Sequence, residues 1–338
     1  MVTGKYSLCE KGRPSEGRPF FINQVRYLSI LVLISISCSQ DILTDISMGP
    51  FEATYSMQDI AVKECFQGPL YMGEIENRQI TEASGLAVSR SFGGSLWTHN
   101  NQGDHNRVFL IGSDGSDRST FRIRNTGNRD WEDMAIGPGP DRTMNYLYIA
   151  DIGDNRQVHD IKSIYRFKEP ERIDPELRVQ WIDGEDVIRF RYPDGMKDAE
   201  TVMIDPLTRD LLVVSKSSFP TSVYIARYPQ NTEEIFEIEL LGTLPFTGAT
   251  GGDISPDGRN ITIKTKEIVY NWTRNNKEQI RDAFIRLPSR LPYIPEVQGE
   301  AIAWNEEGTA YYTLSESKGI IPVLYKYEKK ADTNCSEP

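Results

Sequence analysis

Five acidic residues recur along the chain, each opening a short pattern of alternating small and apolar residues, at spacings of 50, 68, 53 and 47 residues. If they occupy equivalent positions in repeated units, their carboxylates converge and require a cation or protons for neutralisation. Calcium, which takes about six to eight oxygen ligands, is the candidate cofactor. The alternative is that each acid pairs within its own unit and only supports the architecture. The predicted metal ligands are Glu82, Glu132, Glu200, Asp253 and Glu300.

Two loops rich in Asn, Asp and Gly, at residues 98–105 and 150–155, follow equivalent patterns in the first two units. Such loops offer oxygen atoms to a metal or hydrogen bonds to a polar ligand, although the same residue types also serve turns. The segment between them carries Arg129, a candidate for holding an anion, and Trp131, a candidate for stacking on a ligand. The alternatives are that Arg129 forms a local ion pair and that Trp131 is a buried core residue. The remaining predicted ligand-binding residues are Asn100, Asp104, Asp151, Asp154 and Asn155.

Histidine is scarce, with three residues in the chain. His99 lies in the first of the two loops and is the candidate general acid or base; the alternative is a hydrogen-bonded loop histidine. The sequence contains no GxSxG, GxGxxG, P-loop, HExxH or CxxC pattern. It therefore lacks the signatures of the common nucleophilic hydrolases, nucleotide-binding folds and zinc sites.

The elements that must position these residues are short and repeated. In the first unit, the pattern that begins at Glu82 is followed by Leu96-Trp-Thr, Val108-Phe-Leu-Ile and Phe121-Arg-Ile. Similar β-branched or aromatic patterns recur in the later units, bounded by Gly, Pro, Asp or Asn, which is typical of strands and turns. Four strands in each unit of roughly 45–65 residues predict a blade of a β-propeller. The predicted fold class is therefore all-β.

The repeats predict five blades. The fifth unit lacks a fourth strand before Lys329, and the segment Leu70–Ile75 supplies one, so that an N-terminal strand closes the ring. The alternative is six blades, with a diverged blade in the 68-residue interval between Glu132 and Glu200. The predicted fourth strands of the third and fourth units lie at 235–239 and 283–287.

The N-terminus resembles an export signal. Leu28–Ser37 is a run of ten apolar or small residues preceded by Arg26, and as a helix it rises about 15 Å, half of a bilayer core of about 30 Å. We expect a secreted protein, or alternatively one anchored by a lipid on Cys38. No later stretch is apolar enough to span a membrane. The predicted segments are a leader at 1–39, an N-terminal extension at 40–64 and a single propeller domain at 65–335.

In a secreted protein, cysteines can form disulfides and sequons can be glycosylated. Of the four cysteines, Cys65 and Cys335 remain near the two ends of the mature chain. In an oxidising compartment they are predicted to form a disulfide, which ring closure also favours; the alternative is two free thiols. The candidate glycosylation sites are Asn260, Asn271 and Asn334.

The composition excludes several classes of protein. Hydrophobic residues make up 38% of the chain and charged residues 26%, so the chain can bury a core and is not wholly disordered. The net charge of −11 argues against binding to nucleic acid through a general positive field.

Three strings carry a resemblance to known proteins: Glu82-Ala-Ser-Gly-Leu-Ala, Asp130-Trp-Glu-Asp-Met-Ala and Asp151-Ile-Gly-Asp-Asn. They resemble a group of secreted, largely uncharacterised β-propeller proteins, and the first is also similar to phytase-like esterase propellers. One acid per blade over five blades resembles the calcium-dependent apyrases, secreted propellers with an axial calcium that hydrolyse nucleoside di- and triphosphates. The fourth unit departs from that pattern, because its acid follows Gly251-Gly252.

The sequence thus predicts a secreted propeller that binds a metal ion, with calcium as the candidate, and/or a small polar or anionic ligand at its central channel. The alternative is a metal-dependent hydrolase of phosphate esters or anhydrides, or of another ester such as a lactone. Sparse histidine and missing nucleophile motifs favour the first hypothesis. The second stays open, because metal-activated water requires neither.

Overall fold

The computed structural model describes residues 49–184, 186–216, 219–316 and 319–331. Within these ranges the chain forms five sheets, arranged as a five-bladed β-propeller. The predicted fold is therefore confirmed. No helix in these ranges is long and apolar enough to cross a membrane. The predicted leader at 1–39, including Cys38, lies outside the described residues.

Each blade is a meander whose first strand contacts the first strands of the neighbouring blades, so these strands form the inner ring. Strands β1 (Phe51–Glu52) and β2 (Phe66–Glu74) precede the first blade, with a 3-10 turn (Met57–Asp59) between them. Blade 1 contains β3 (Ala83–Val88), β4 (Ser95–Asn100), β5 (Arg107–Gly112) and β6 (Asp117–Ile123). Blade 2 contains β7 (Trp131–Pro138), β8 (Asn145–Asp151), β9 (Lys162–Lys168) and, after the separate strand β10 (Val179–Ile182), β11 (Asp186–Arg191).

The remaining blades repeat this plan. Blade 3 contains β12 (Ala199–Ile204), β13 (Leu211–Ser215), β14 (Thr221–Ala226) and, after the separate strand β15 (Phe236–Glu237), β16 (Glu239–Leu244). Blade 4 contains β17 (Ala249–Ile254), β18 (Asn260–Thr265), β19 (Val269–Thr273) and, after helix α1 (Ile280–Ile285), β20 (Ser289–Leu291). Blade 5 contains β21 (Gly299–Trp304), β22 (Ala310–Ser315) and β23 (Val323–Lys329), and its fourth strand is β2.

Small residues allow the inner strands to approach one another. A Cβ atom on Gly85 of β3 would lie 2.6 Å from the backbone nitrogen of Met134 in β7, and one on Gly251 of β17 would lie 2.5 Å from the carbonyl oxygen of Glu300 in β21. Glycine is therefore needed where neighbouring inner strands meet. This explains why these strands contain so many small residues.

The hydrophobic core consists of five clusters, one between each pair of neighbouring blades. Between blades 1 and 2, for example, Trp97 and Phe121 pack with Trp131 and Met134, and the Trp97 and Phe121 ring centroids lie 5.0 Å apart. Burial of large aromatic side chains supplies much of the stabilisation of such interfaces. The rigid ring formed in this way holds the loops at its ends in place.

The outer edges of three blades are covered by added parallel strands. Strand β10 pairs with β6, β15 pairs with β11 and β1 pairs with β16. On blade 4, Val62 forms a parallel bridge with Arg290. Covered edges cannot pair with another chain. The interval between Glu132 and Glu200 holds the excursion to β10, and not a sixth blade, so the six-blade alternative is wrong.

The N-terminal strand closes the ring as predicted. Strand β2 pairs with β23 in antiparallel register, with Tyr71 opposite Tyr325. The carbonyl oxygen of Cys65 accepts a hydrogen bond of 2.8 Å from the backbone nitrogen of Lys330, so Cys65 lies beside the C-terminal end of the described chain. Cys335 lies outside the described residues, and the Cys65–Cys335 disulfide stays a prediction.

Two predicted outer strands are wrong. The segment at 283–287 overlaps α1, whose buried residues Ile280, Ala283 and Phe284 follow helical spacing; the fourth strand of blade 4 is β20. The segment at 235–239 contains β15, which pairs with blade 2, and only the first residue of β16, which completes blade 3. Short apolar runs do not distinguish a helix from a strand, and local sequence does not indicate which sheet an edge strand joins.

Candidate metal centre and ligand pocket

A β-bulge at the start of each inner strand shows which residues are equivalent. The bulged residue is an acid in three blades, namely Glu132 in blade 2, Glu200 in blade 3 and Glu300 in blade 5. In blade 4 it is Thr250, and in blade 1 the register shift spans Ser84 and Gly85. Bulges redirect side chains at the rim of a sheet. Three glutamates therefore share one position near the axis.

The other two predicted metal ligands do not occupy this position. Glu82 precedes β3 and is half-buried. Asp253 is buried, and its carboxylate accepts hydrogen bonds of 2.8 Å from the backbone nitrogens of Ile254 and Trp304. It therefore links blade 4 to blade 5, and burial raises its pKa to about 7. The predicted ring of five acids is therefore corrected to three. The acid stands at the bulge in blades 2, 3 and 5, but before the bulge in blade 1 and after it in blade 4.

A cluster of three buried carboxylates lies between blades 2 and 3. Glu132, Asp198 and Glu200 each offer an oxygen atom, and these atoms lie within 4.8 Å of one another. We call these residues the axial acid cluster. Lys216 Nζ contacts Oε1 of Glu200, whereas Oε2 of Glu200 is buried and has no hydrogen-bond partner in the described part of the chain. One carboxylate oxygen of the cluster is thus shielded from solvent and makes no hydrogen bond to the described residues.

Burial and neighbouring carboxylates disfavour the charged forms of acids at and beside the cluster. Burial raises the pKa of Glu132 well above its usual value, and the negative charge of Asp130 raises it further, with smaller contributions from Glu300 and Asp198. Burial also raises the pKa of Glu300 to about 7, and the neighbouring carboxylate of Glu316 adds to this shift. A cation at the cluster would relieve this repulsion.

Neighbouring groups fix the cluster in place. Asn101 Nδ2 donates a hydrogen bond of 3.1 Å to Oε2 of Glu132, and the backbone nitrogen of Asp154 donates one of 2.8 Å to Oδ1 of Asp198. The loop that follows β8 passes close to the acids at Gly153. The oxygens are therefore oriented before any ligand arrives, as a metal site requires.

The sequence interpretation missed Asp130 and Asp198. Each lies two residues before a bulged glutamate. Their carbonyl oxygens accept equivalent backbone hydrogen bonds, that of Asp130 from Gly153 at 3.2 Å and that of Asp198 from Lys216 at 3.0 Å. The signal is an Asp-x-Glu triplet, present as Asp130-Trp-Glu132 and Asp198-Ala-Glu200. Burial and the charges of Asp198 and Asp151 raise the pKa of Asp130.

A polar pocket of about 350 Å³ has Asp130 in its wall, and the charge of Asp130 acts on Glu132 of the cluster. It contains three of the predicted ligand-binding residues, Arg129, Asp154 and Asn155. Arg156 and His159 add cationic or titratable groups that the sequence interpretation did not single out. We call this cavity the arginine pocket. The remaining lining residues are Gln102 and Val158.

A buried ion pair holds the inner wall of the arginine pocket. Lys162 Nζ lies 3.0 Å from Oδ2 of Asp154, and both side chains are almost completely buried. Although burial alone would raise the pKa of Asp154, hydrogen bonds from the backbone of Val158 and His159 and from Lys162 lower it below its usual value. Arg129 donates a hydrogen bond of 3.0 Å to the carbonyl oxygen of Asp151 and retains a partly exposed side chain.

Comparisons with known proteins add little to this geometry. No protein-family profile matches the chain, and no curated protein matches it. The fold matches 650 chains of solved structures. Among them is the PQQ-bound form of an aldose sugar dehydrogenase from Streptomyces coelicolor, with a TM-score of 0.44 and 11% identity over 78% of this chain and 98% of that one.

The other predicted ligand-binding residues have structural roles. Asn100 is buried and hydrogen-bonded through its side chain to Asp104 at 2.8 Å, and Asp104 forms an ion pair of 2.7 Å with Arg107. Trp131 is fully buried, and its indole N–H donates to the carbonyl oxygen of Gly127 at 2.8 Å. Asp151 accepts from the backbone nitrogen of Asp130 at 3.0 Å.

The structure also corrects the prediction for His99. The ring is fully buried, with Nδ1 3.0 Å from the carbonyl oxygen of Asn100 and the ring edge-on to Trp131 at 5.6 Å. Burial lowers the pKa of His99 to about 4. A neutral, enclosed imidazole does not reach a substrate, so His99 belongs to the core of blade 1.

The three sequons lie in different environments. Asn260 is partly exposed at the start of β18. Asn271 is 1% exposed, and its side chain accepts from Thr262 Oγ1 at 3.0 Å, so the folded chain does not present it for modification. Asn334 lies outside the described residues.

Proposed function

We propose that this protein is a β-propeller that binds one divalent cation at the axial acid cluster and a small polar or anionic ligand in the arginine pocket. The observation that carries the proposal is the approach of three buried carboxylates to within 4.8 Å, one with an oxygen that lacks a hydrogen-bond partner within the described ranges. Carboxylates this close require a cation or protons.

Charge arithmetic favours a divalent ion. Glu132, Asp198 and Glu200 contribute three negative charges, and Lys216 contributes one positive charge, which leaves a formal charge of −2. One divalent cation would neutralise it. Zinc favours nitrogen and sulfur ligands, whereas the three groups here offer only oxygen, which suits calcium or magnesium. Calcium is our choice, because it accepts irregular coordination completed by backbone oxygens and water.

The arginine pocket supports the second half of the proposal. Arg129 and Arg156 line it, and guanidinium groups bind carboxylates and phosphates through paired hydrogen bonds. Asp130 belongs to the pocket wall and acts electrostatically on Glu132. A ligand in the pocket would therefore lie next to a cation at the cluster.

A metal-dependent hydrolase of phosphate esters or anhydrides is the second candidate. It is favoured by Asp130, whose pKa is raised by burial and by Asp198. A carboxylate with a raised pKa beside a bound metal ion suits a general base that takes a proton from metal-bound water. Screens of phosphoester and lactone hydrolysis, with and without chelator, would separate this candidate from a binding protein.

Calorimetric titration of chelator-stripped protein with calcium tests the proposal. We expect one site per chain, more than tenfold weaker binding in Glu200→Gln, and stabilisation by about 2.7 kcal/mol at 100 times the dissociation constant. Glu82→Gln is the matched control and should bind like wild type. Equal affinity in wild type and Glu200→Gln would refute the metal site.

A further inference from the structure

A separate cavity of about 280 Å³ lies on blade 5, between the connection from blade 4 and the strands β2 and β23. Its walls are mainly apolar and include Ile294, Val297, Ile320 and Ile321. Tyr325 also lines it. We call this cavity the blade-5 groove.

The groove exposes an unusual amount of apolar surface. The exposed fractions of Ile294, Val297 and Ile320 are 58%, 63% and 62%. Single exposed aliphatic residues are ordinary, but several around one cavity mark a site that binds a ligand or a partner. The apolar rim alone does not identify that ligand.

The carboxylate of Glu296 indicates which kind of ligand the groove would bind. Glu296 and Glu316 line the groove, and no Lys, Arg or His is among its described lining residues. Glu296 Oε1 accepts a hydrogen bond of 2.5 Å from Thr313 Oγ1, whereas Oε2 is buried and finds no hydrogen-bond partner among the residues that the structure describes. An unsatisfied buried oxygen carries a desolvation cost that a positively charged donor would relieve.

The ammonium that acts electrostatically on Glu296 is directed elsewhere. Lys264 Nζ donates to the carbonyl oxygens of Gly299 and Thr265 and lies 4.7 Å from the ring centroid of Tyr293. Lys264 influences Glu296 through its charge, but Oε2 of Glu296 remains without a hydrogen bond. The groove therefore combines an apolar wall with a buried carboxylate oxygen, Oε2 of Glu296, that has no hydrogen-bond partner among the described residues.

We propose that the blade-5 groove binds a small organic cation, with an ammonium group at Oε2 of Glu296 and an apolar body against the isoleucine side chains. The ring of Tyr325 adds an aromatic surface, which favours cations. Neutral ligands of the same shape would leave Oε2 of Glu296 unpaired, and anionic ones would be repelled. This proposal is independent of the metal site.

The test compares four probes that share one alkyl chain: hexylammonium, hexyltrimethylammonium, 1-hexanol and hexanoate. Calorimetry should give at least tenfold tighter binding for the two ammonium probes than for hexanol, and none for hexanoate. Glu296→Gln should reduce the ammonium probes to the level of hexanol. Glu233→Gln, on the exposed surface, is the matched control and should change nothing.

Further variants keep the proposal falsifiable if Glu296→Gln disturbs the fold. Ile320→Gln changes only an exposed wall residue, and it should weaken binding of hexylammonium. Glu132→Gln should leave that binding unchanged. The proposal is overturned if the ammonium probes bind no tighter than hexanol, if Ile320→Gln binds hexylammonium as wild type does, or if Glu132→Gln abolishes binding and so moves the probe to the axial acid cluster.

Discussion

A Cβ atom on Gly153 would lie 2.1 Å from Oε1 of Glu132. The same atom would lie 2.5 Å from Oδ2 of Asp130. Only a residue without a side chain lets the loop after β8 pass this close to the carboxylates. The loop and the acids therefore depend on each other, although they are separated in the sequence by strand β8.

Gly153→Ala should weaken calcium binding more than it weakens the fold. The added methyl group meets the ends of flexible acidic side chains, so Glu132 is displaced while the inner strands stay in place. We expect at least a tenfold loss of calcium affinity by calorimetry. The matched control is Gly93→Ala, because a Cβ atom there meets nothing within 4 Å. Unchanged affinity in Gly153→Ala would contradict the assigned geometry.

Lys216→Met should expose the repulsion inside the axial acid cluster. Without metal, the variant leaves Glu200 without its ammonium partner and should lose about 2 kcal/mol of unfolding free energy. A bound divalent ion replaces the lost charge, so the loss should shrink in saturating calcium. Thermal or urea unfolding with chelator and with calcium measures the difference. An equal loss in both conditions would indicate that Lys216 is not the counterion of a metal site.

The propeller was predictable because each strand carries its own local signal. Patterns such as Val108-Phe-Leu-Ile identify a strand without reference to its neighbours, and their recurrence indicates blades. The position of Glu132 and Glu200 near the axis followed from the same repeats. Asp198 did not, because the Asp-x-Glu triplet gains its meaning only from the bulge at Glu200, which becomes visible in the pairing of the folded strands. Likewise, the burial of His99 against Trp131 depends on packing between two blades.

His99→Phe should change the pH dependence of stability. The pKa of His99 is lowered to about 4 by burial, and that of the unfolded chain is about 6.5, so the unfolded state binds more protons between these values. Stability from this group is therefore complete above about pH 6.5 and declines as the pH falls towards 4.

Relative to His99→Phe, wild type should lose on the order of 3 kcal/mol between pH 7 and pH 4. Urea unfolding of chelator-treated protein at several pH values measures this difference. His105→Gln, at an exposed site, is the control for the loss of a histidine elsewhere in the chain. A constant difference between wild type and His99→Phe across this range would mean that His99 titrates normally and is accessible to solvent.

The most direct test of the metal site is a crystal structure of calcium-saturated protein, with the ion located by its anomalous scattering. We expect one ion with carboxylate oxygens of Glu132, Asp198 and Glu200 at about 2.3–2.6 Å. An ion bound at Asp253 or Glu82, or no ion at the axial acid cluster under saturating calcium, would contradict the account.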